Sequence, residues 1–133
     1  MREIASLADL KAAWAASGDR SIIGAAIGDR LYRLEDRTAR NALDVRILHE
    51  GLLAKALGIT EDAVRDEKHL RYIRGVDKAV EEVRKGTAQI AFLLKPTSVQ
   101  QVADTSFNGG VMPQKSTDFY PKLLSGMVIY KLD

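Results

Sequence analysis

Between Gly86 and the pair Lys95-Pro96 lies Ala88-Gln89-Ile90-Ala91-Phe92-Leu93-Leu94, a segment that is nearly all apolar. A short apolar run bounded by glycine and proline reads as a strand covered on both faces, because a half-exposed strand alternates. The pattern predicts the central strand of a sheet. Directly before it, Asp77 caps a helix in which Val76, Ala79, Val80 and Val83 form an i, i+3, i+4, i+7 stripe, and Gly86 ends it. An amphipathic helix feeding an apolar strand requires helices packed on a sheet.

The remaining elements follow from caps and periodicity. Ser6 caps a helix from about Leu7 to Ala16, with Asp9 as the acidic member of a capping box and Leu7, Leu10 and Trp14 on one face. Ser21 to Ile27 and Arg30 to Leu34 form a β-hairpin around Gly28-Asp29. Asp44 caps a helix whose Val45, Leu48, Leu52 and Ala56 make one stripe, widened by Ile47, Leu53 and Leu57 and ended by Gly58. Thr60 starts a short helical turn, and Leu70 to Arg74 reads as a strand. Thr97 with Gln100 spells a capping box for a helix through Val99, Val102 and Ala103. Asn108-Gly109-Gly110 is a turn, and Gly126 to Leu132 is the last strand. The predicted order is α-β-β-α-β-α-β-α-β. It makes residues 1–133 a single two-layer α+β domain, with a mixed sheet of about five strands packed with helices. Parallel neighbours in that sheet would be joined by right-handed crossovers.

Composition narrows the chemistry. The 133 residues include no cysteine, which removes disulfides, thiolate metal sites and cysteine nucleophiles. With two histidines, His49 and His69, no histidine-rich metal site is expected. Twenty basic against eighteen acidic residues leave a formal charge of +2, a balance that argues against a nucleic-acid partner. No apolar run approaches the ~20 residues of a membrane helix. The start, Met-Arg-Glu-Ile, lacks the apolar core of a secretory signal, so the expected location is cytoplasmic, with no membrane partner.

The densest set of functional groups runs from Met112 to Leu123. Lys115 and Lys122 are point charges suited to phosphate, and Ser116, Thr117 and Tyr120 can donate to its oxygens. The glycine frame of a P-loop is absent, so no backbone cradle is implied. The competing reading is a rigid loop in which Phe119, Tyr120, Pro121 and Leu123 fill the core edge. Arg30, Arg33, Arg37, Arg40 and Arg46 form a basic cluster interrupted by Glu35, Asp36 and Asp44, which reads as a solvated surface. His49 sits near the edge of an apolar stripe and reads as a structural histidine, and His69 reads as solvent-facing. Glu81 and Glu82 diverge by about 100° on a helix, too far to act as an acid–base pair.

Leu43-Asp44-Val45 with Leu48-His49, then Ala91 to Thr97, then Met112-Pro113 through Gly126, fall in a familiar order. Over roughly residues 20–133 the chain resembles the C-terminal region of the prokaryotic family known as domain-of-unknown-function family one thousand and fifteen. The Lys-Ser-Thr-x-Phe-Tyr-Pro-Lys string is the most specific part. Two positions depart from the common spelling: Gln114 stands where proline is frequent, and Asp118, where tyrosine is frequent, adds negative charge beside Lys115 and Lys122. Family members are longer, and their preceding region carries an Asp-Gly-His-His-Arg string like that of ParB-like and sulfiredoxin-like domains. The resemblance implies a C-terminal domain whose partner is the N-terminal region of the same full-length protein. The family carries no assigned activity; from the chemistry of its own loop, the domain would help bind a small anionic ligand, a nucleotide or phosphorylated metabolite, through Lys115, Ser116, Thr117, Tyr120 and Lys122. Nucleotide hydrolysis or phosphoryl transfer would belong to the whole protein. The alternative is a structural or protein-interaction domain with no ligand site of its own.

Overall fold

Strand β2 (Arg20–Ile27) is the buried middle of the sheet, with Ser21 through Ala26 buried and both end residues exposed. The computed structural model describes residues 1–40, 42–113 and 116–117. The expected last strand, Gly126 to Leu132, lies outside them. Helix α1 (Leu7–Ala15) starts at Ser6, whose Oγ accepts from the Asp9 N–H at 3.2 Å. It approaches β2 very closely. A Cβ at Gly24 would run into Leu10 Cδ2 and come within 3.1 Å of Leu93 Cβ, so any side chain there has to displace Leu10. Trp14 Nε1 donates to the Ile22 carbonyl at 2.8 Å and pins the helix across the strand.

Strand β3 (Arg30–Arg40) returns antiparallel through the Gly28-Asp29 turn, where Gly28 takes a φ of +55°. Strand β1 (Arg2–Ile4) pairs antiparallel with β3, and β4 (Ile90–Leu93) pairs antiparallel with β2. The order is β1-β3-β2-β4. The protein is thus α+β, but among the described residues the sheet has four strands, not about five, and every pairing is antiparallel instead of mixed. The segment expected at the centre, Ala88 to Leu94, supplies an edge strand among those residues. Its apolarity comes from burial on both faces, with Ala91 and Leu93 packed on one side and Phe92 and Leu94 on the other.

Those two sides carry separate cores. Leu10, Ile22, Ala26, Leu31 and Leu93 pack with Val80 and Val83 of helix α4 (Val76–Arg84). On the opposite face Ile23 packs with Leu48, Leu53 and Val64. Helices therefore cover both faces of the sheet where two layers were expected. Gly75, not Asp77, is the N-cap of α4, at a φ of +96°.

The helix predicted from Asp44 is present in an altered form. Helix α2 (Asp44–Ile47) continues as a π-helical segment, Leu48–Ala56. Leu48 and Leu53 are its buried residues, Leu52 packs half-buried against the same core, and Ala56 of the expected stripe is exposed. Helix α3 (Glu61–Arg65) follows, capped by the Thr60 hydroxyl. Leu70 to Arg74 is not a strand. Leu70 packs under the second core, while Arg71 donates to Glu82 Oε2 at 2.9 Å and holds the loop on α4.

Candidate functional site

Ser21 and Ile23 share the face of β2 that looks toward α2, since side chains alternate along a strand. Leu43, extended with ψ 124°, is the N-cap of α2, which leaves Asp44 in the first turn with its carboxylate free of capping work. The Ser21 hydroxyl donates to Asp44 Oδ1 at 2.6 Å. Asp44 is 7% exposed, and its Oδ2 has no hydrogen-bond partner among the described residues. Burial pushes the Asp44 carboxyl above the ordinary carboxylate range, against the Ser21 hydrogen bond and the charge of Lys95.

Lys95 enters from the end of β4. Its Nζ donates to the Arg20 carbonyl at 3.2 Å, the Gly18 carbonyl at 3.4 Å and Ser17 Oγ at 3.4 Å. The ammonium thus straps the turn between α1 and β2. Thr97 was expected to cap the next helix, α5 (Val99–Phe107), but Ser98 does so. Ser98 Oγ accepts from the Gln101 N–H at 3.1 Å, and Gln101 Oε1 accepts from the Ser98 N–H at 3.0 Å. Thr97 is released for another contact: its hydroxyl donates to the Ser116 carbonyl at 2.8 Å. The Ser116 hydroxyl in turn donates to the Pro113 carbonyl at 2.6 Å.

These groups surround a cavity of about 150 Å³ lined by residues 43–45 and 94–97 with Gln101 and Ser116. A larger, more open hollow of about 570 Å³ lies between the start of α1 and α4. Its carboxylates Asp77 and Glu81 are already paired with Lys11 and Lys85, so the smaller cleft holds the more reactive chemistry.

Of the sequence-predicted site residues, Ser116 lines this cleft and Thr117 lies half-buried next to it in the chain. Lys115, Tyr120 and Lys122 lie outside the described residues. Asp44, Lys95, Thr97 and Gln101 were not predicted as site residues. The sequence signal for Asp44 was a carboxylate set between Leu43 and Val45; its capping potential explained it too readily.

The other candidates resolve as structural. Arg30 pairs with Glu3 at 3.9 Å and Arg46 with Glu50 at 3.9 Å, as in a solvated charged surface, whereas the Arg33–Glu35 pair at 3.6 Å is half-buried; the side chains of Arg37 and Arg40 lie outside those described. His49 is half-buried, and burial lowers its pKa while the charge of Glu61 raises it. His69 is exposed, at a φ of +64°. Glu81 bonds Lys85 while Glu82 bonds Arg71 and Thr87, so the two carboxylates do diverge. Among the described residues no group of three or more His, Cys, Asp or Glu is placed to hold a metal, and no helix is long and apolar enough to cross a membrane. No family model, curated protein or solved structure matches this chain.

Proposed function

We propose that this chain is a ligand-binding domain whose site is the cleft between residues 43–45, residues 94–97 and Ser116. It takes one end of an anionic compound, a nucleotide or phosphorylated metabolite, and Lys115 and Lys122 of the Lys-Ser-Thr string meet the charge. The observation that carries this reading is the position of Ser116: a residue of that string lines the same cleft as the buried, half-satisfied Asp44. Residues 43–45 and 94–97, far apart in the chain, come together there with Ser116.

Size limits what enters. A cavity of about 150 Å³ admits a group the size of one benzene ring, well below the ~300–1,000 Å³ of a complete small-molecule pocket. One end of the ligand is held here, and the rest extends past the mouth, where the N-terminal region of a longer protein would complete the wall.

Calorimetric titration of the chain with adenosine monophosphate and with inorganic phosphate tests the reading. Replacing both lysines (Lys115→Met with Lys122→Met) is expected to weaken binding about tenfold or more, since a charge-assisted contact contributes ~1.5–3 kcal/mol. Unchanged affinity in a folded double variant would remove the loop from the site. The second reading, a structural or interaction domain, draws on the Lys95 ammonium and the Thr97 and Ser116 hydroxyls all being engaged with the protein itself. It expects no heat of binding from either compound.

A further inference from the structure

Helix α5 has two unlike faces. Gln101, Val102 and Thr105 are half-buried, and no residue of the helix is fully buried. At about 100° per residue, Val99, Ala103 and Phe107 form an i, i+4, i+8 stripe on the side away from Gln101 and Thr105. Among the described residues the large apolar side chains most open to water are Phe107, 89% exposed, Val111, 86%, and Val99, which at 80% equals the terminal Met1. The Gly110 N–H donates to the Thr105 carbonyl at 2.8 Å, which folds the chain leading to Val111 back over the last turn of the helix. A helix face turned to water normally carries charge, as Asp77, Glu81 and Lys85 do on α4. Between Lys95 and Lys115 the one charged residue is Asp104, in a chain that is 29% charged. Its carboxylate accepts from Gln100 Nε2 at 2.6 Å on the flank of the stripe.

We infer that this stripe is the contact through which two copies of the chain pair, as an isologous dimer with the two α5 helices antiparallel about Ala103. Charge selects a second copy as the occupant. A two-fold axis sets a surface against itself, so a net charge on it would repel its own image. A face built for a charged partner would carry the opposite sign, and this one carries neither. Apolar side chains in a stretch depleted of charge are the composition of an interface core, and the bonded Gln100–Asp104 pair supplies a polar rim. Shape agrees with charge. With the axis at Ala103, the Phe107 ring of each copy lies against Val99 of the other, and the two alanines let the helices approach closely. Gln101 stays turned to the cleft, so pairing does not depend on what the cleft binds.

Sedimentation equilibrium over a range of chain concentrations tests this. The average mass is expected to rise from that of one chain toward twice that value. Phe107→Asp should raise the dissociation constant about tenfold or more, because a two-fold interface loses the contact twice. Phe107 is almost wholly exposed, so the variant is expected to keep the wild-type circular dichroism and the urea midpoint of the single chain. Leu57→Asp, at the exposed leucine that ends the π-helical segment, should leave the mass unchanged. The register has a test of its own. Phe107→Asp mixed with Val99→Lys should form a mixed dimer in which the two new charges face each other, while neither variant pairs with itself. A one-chain mass up to about 1 mM, a dimer that Phe107→Asp does not weaken, an equal loss from Leu57→Asp, or a mixture that stays monomeric would each overturn the inference. A Phe107→Asp chain that loses its fold would place the stripe under the chain's own residues, which overturns it as well.

Discussion

Leu10→Ala is expected to lower stability by about 3 kcal/mol, within the ~2–5 kcal/mol seen for buried leucines cut back to alanine. Leu10 is fully buried, and it fills the space over Gly24 where α1 meets the sheet. Truncating it removes apolar contacts and leaves a void that a rigid strand with small side chains cannot collapse to fill. The reciprocal change, Gly24→Ala, should cost about 1–3 kcal/mol on its own, because the new methyl has to displace Leu10 and press on the Leu93 Cβ. Combining the two should cost less than their sum by about 1 kcal/mol, since the methyl then occupies space that Leu10 has vacated. Urea unfolding of the four proteins measures this coupling. Strict additivity would mean that helix and strand do not meet as closely as described.

The second large effect belongs to Ser21→Ala. It takes the only hydrogen bond the described residues give to the Asp44 carboxylate, and bonds to charged groups contribute about 1.5–3 kcal/mol. A loss of about 2 kcal/mol is expected at neutral pH. Its pH dependence has a definite sign. Burial holds the folded-state pKa of Asp44 above its unfolded value, so ionised Asp44 weighs against the fold, and acidification relieves that penalty as pH falls from the folded pKa toward the unfolded one. The Ser21 hydrogen bond lowers the folded pKa, so removing it raises that pKa further and widens the window. The gap between wild type and Ser21→Ala should therefore be full at neutral pH and shrink in acid as the variant protonates first. On an Asp44→Asn background the same change should cost only about 1 kcal/mol, the value of a neutral bond. A gap that stays constant from neutral to acid pH would show that Asp44 carries no buried charge.

Where one pattern had one physical solution, it could be read from the chain. Ser6 with Asp9 specified the start of α1, and the Gly28-Asp29 turn specified the β2–β3 hairpin. Where two registers satisfied the same residues, it could not. Thr97-Ser98-Val99-Gln100-Gln101 spells the capping box twice, and the structure uses Ser98 with Gln101. Leu48, Leu52 and Leu53 fit an ordinary helical stripe as well as the wider turn of a π-helix, and the chain takes the second. Leu70 to Arg74 alternates like a strand, yet one side chain is satisfied by the second core and the next by Glu82. The cleft was partly legible. Ser116 was marked by its neighbours in the Lys-Ser-Thr string, whereas Asp44 and Lys95 carry ordinary local explanations, a helix start and a strand end. Only the pairing of β4 with β2 brings them together, and no local pattern encodes that pairing.

The strand order also bears on how the molecule reaches its native state. β2 meets β3 across a two-residue turn but meets β4 only after the chain has run from Gly24 to Leu93. Closing so long a loop carries an entropy cost before any contact repays it, so the hairpin is expected to form early and the β4 pairing late. Residues 94–97 leave β4 directly and form a wall of the cleft. The cleft should therefore form in the final kinetic phase of refolding, and a refolding chain should display most of its sheet before it has any cleft.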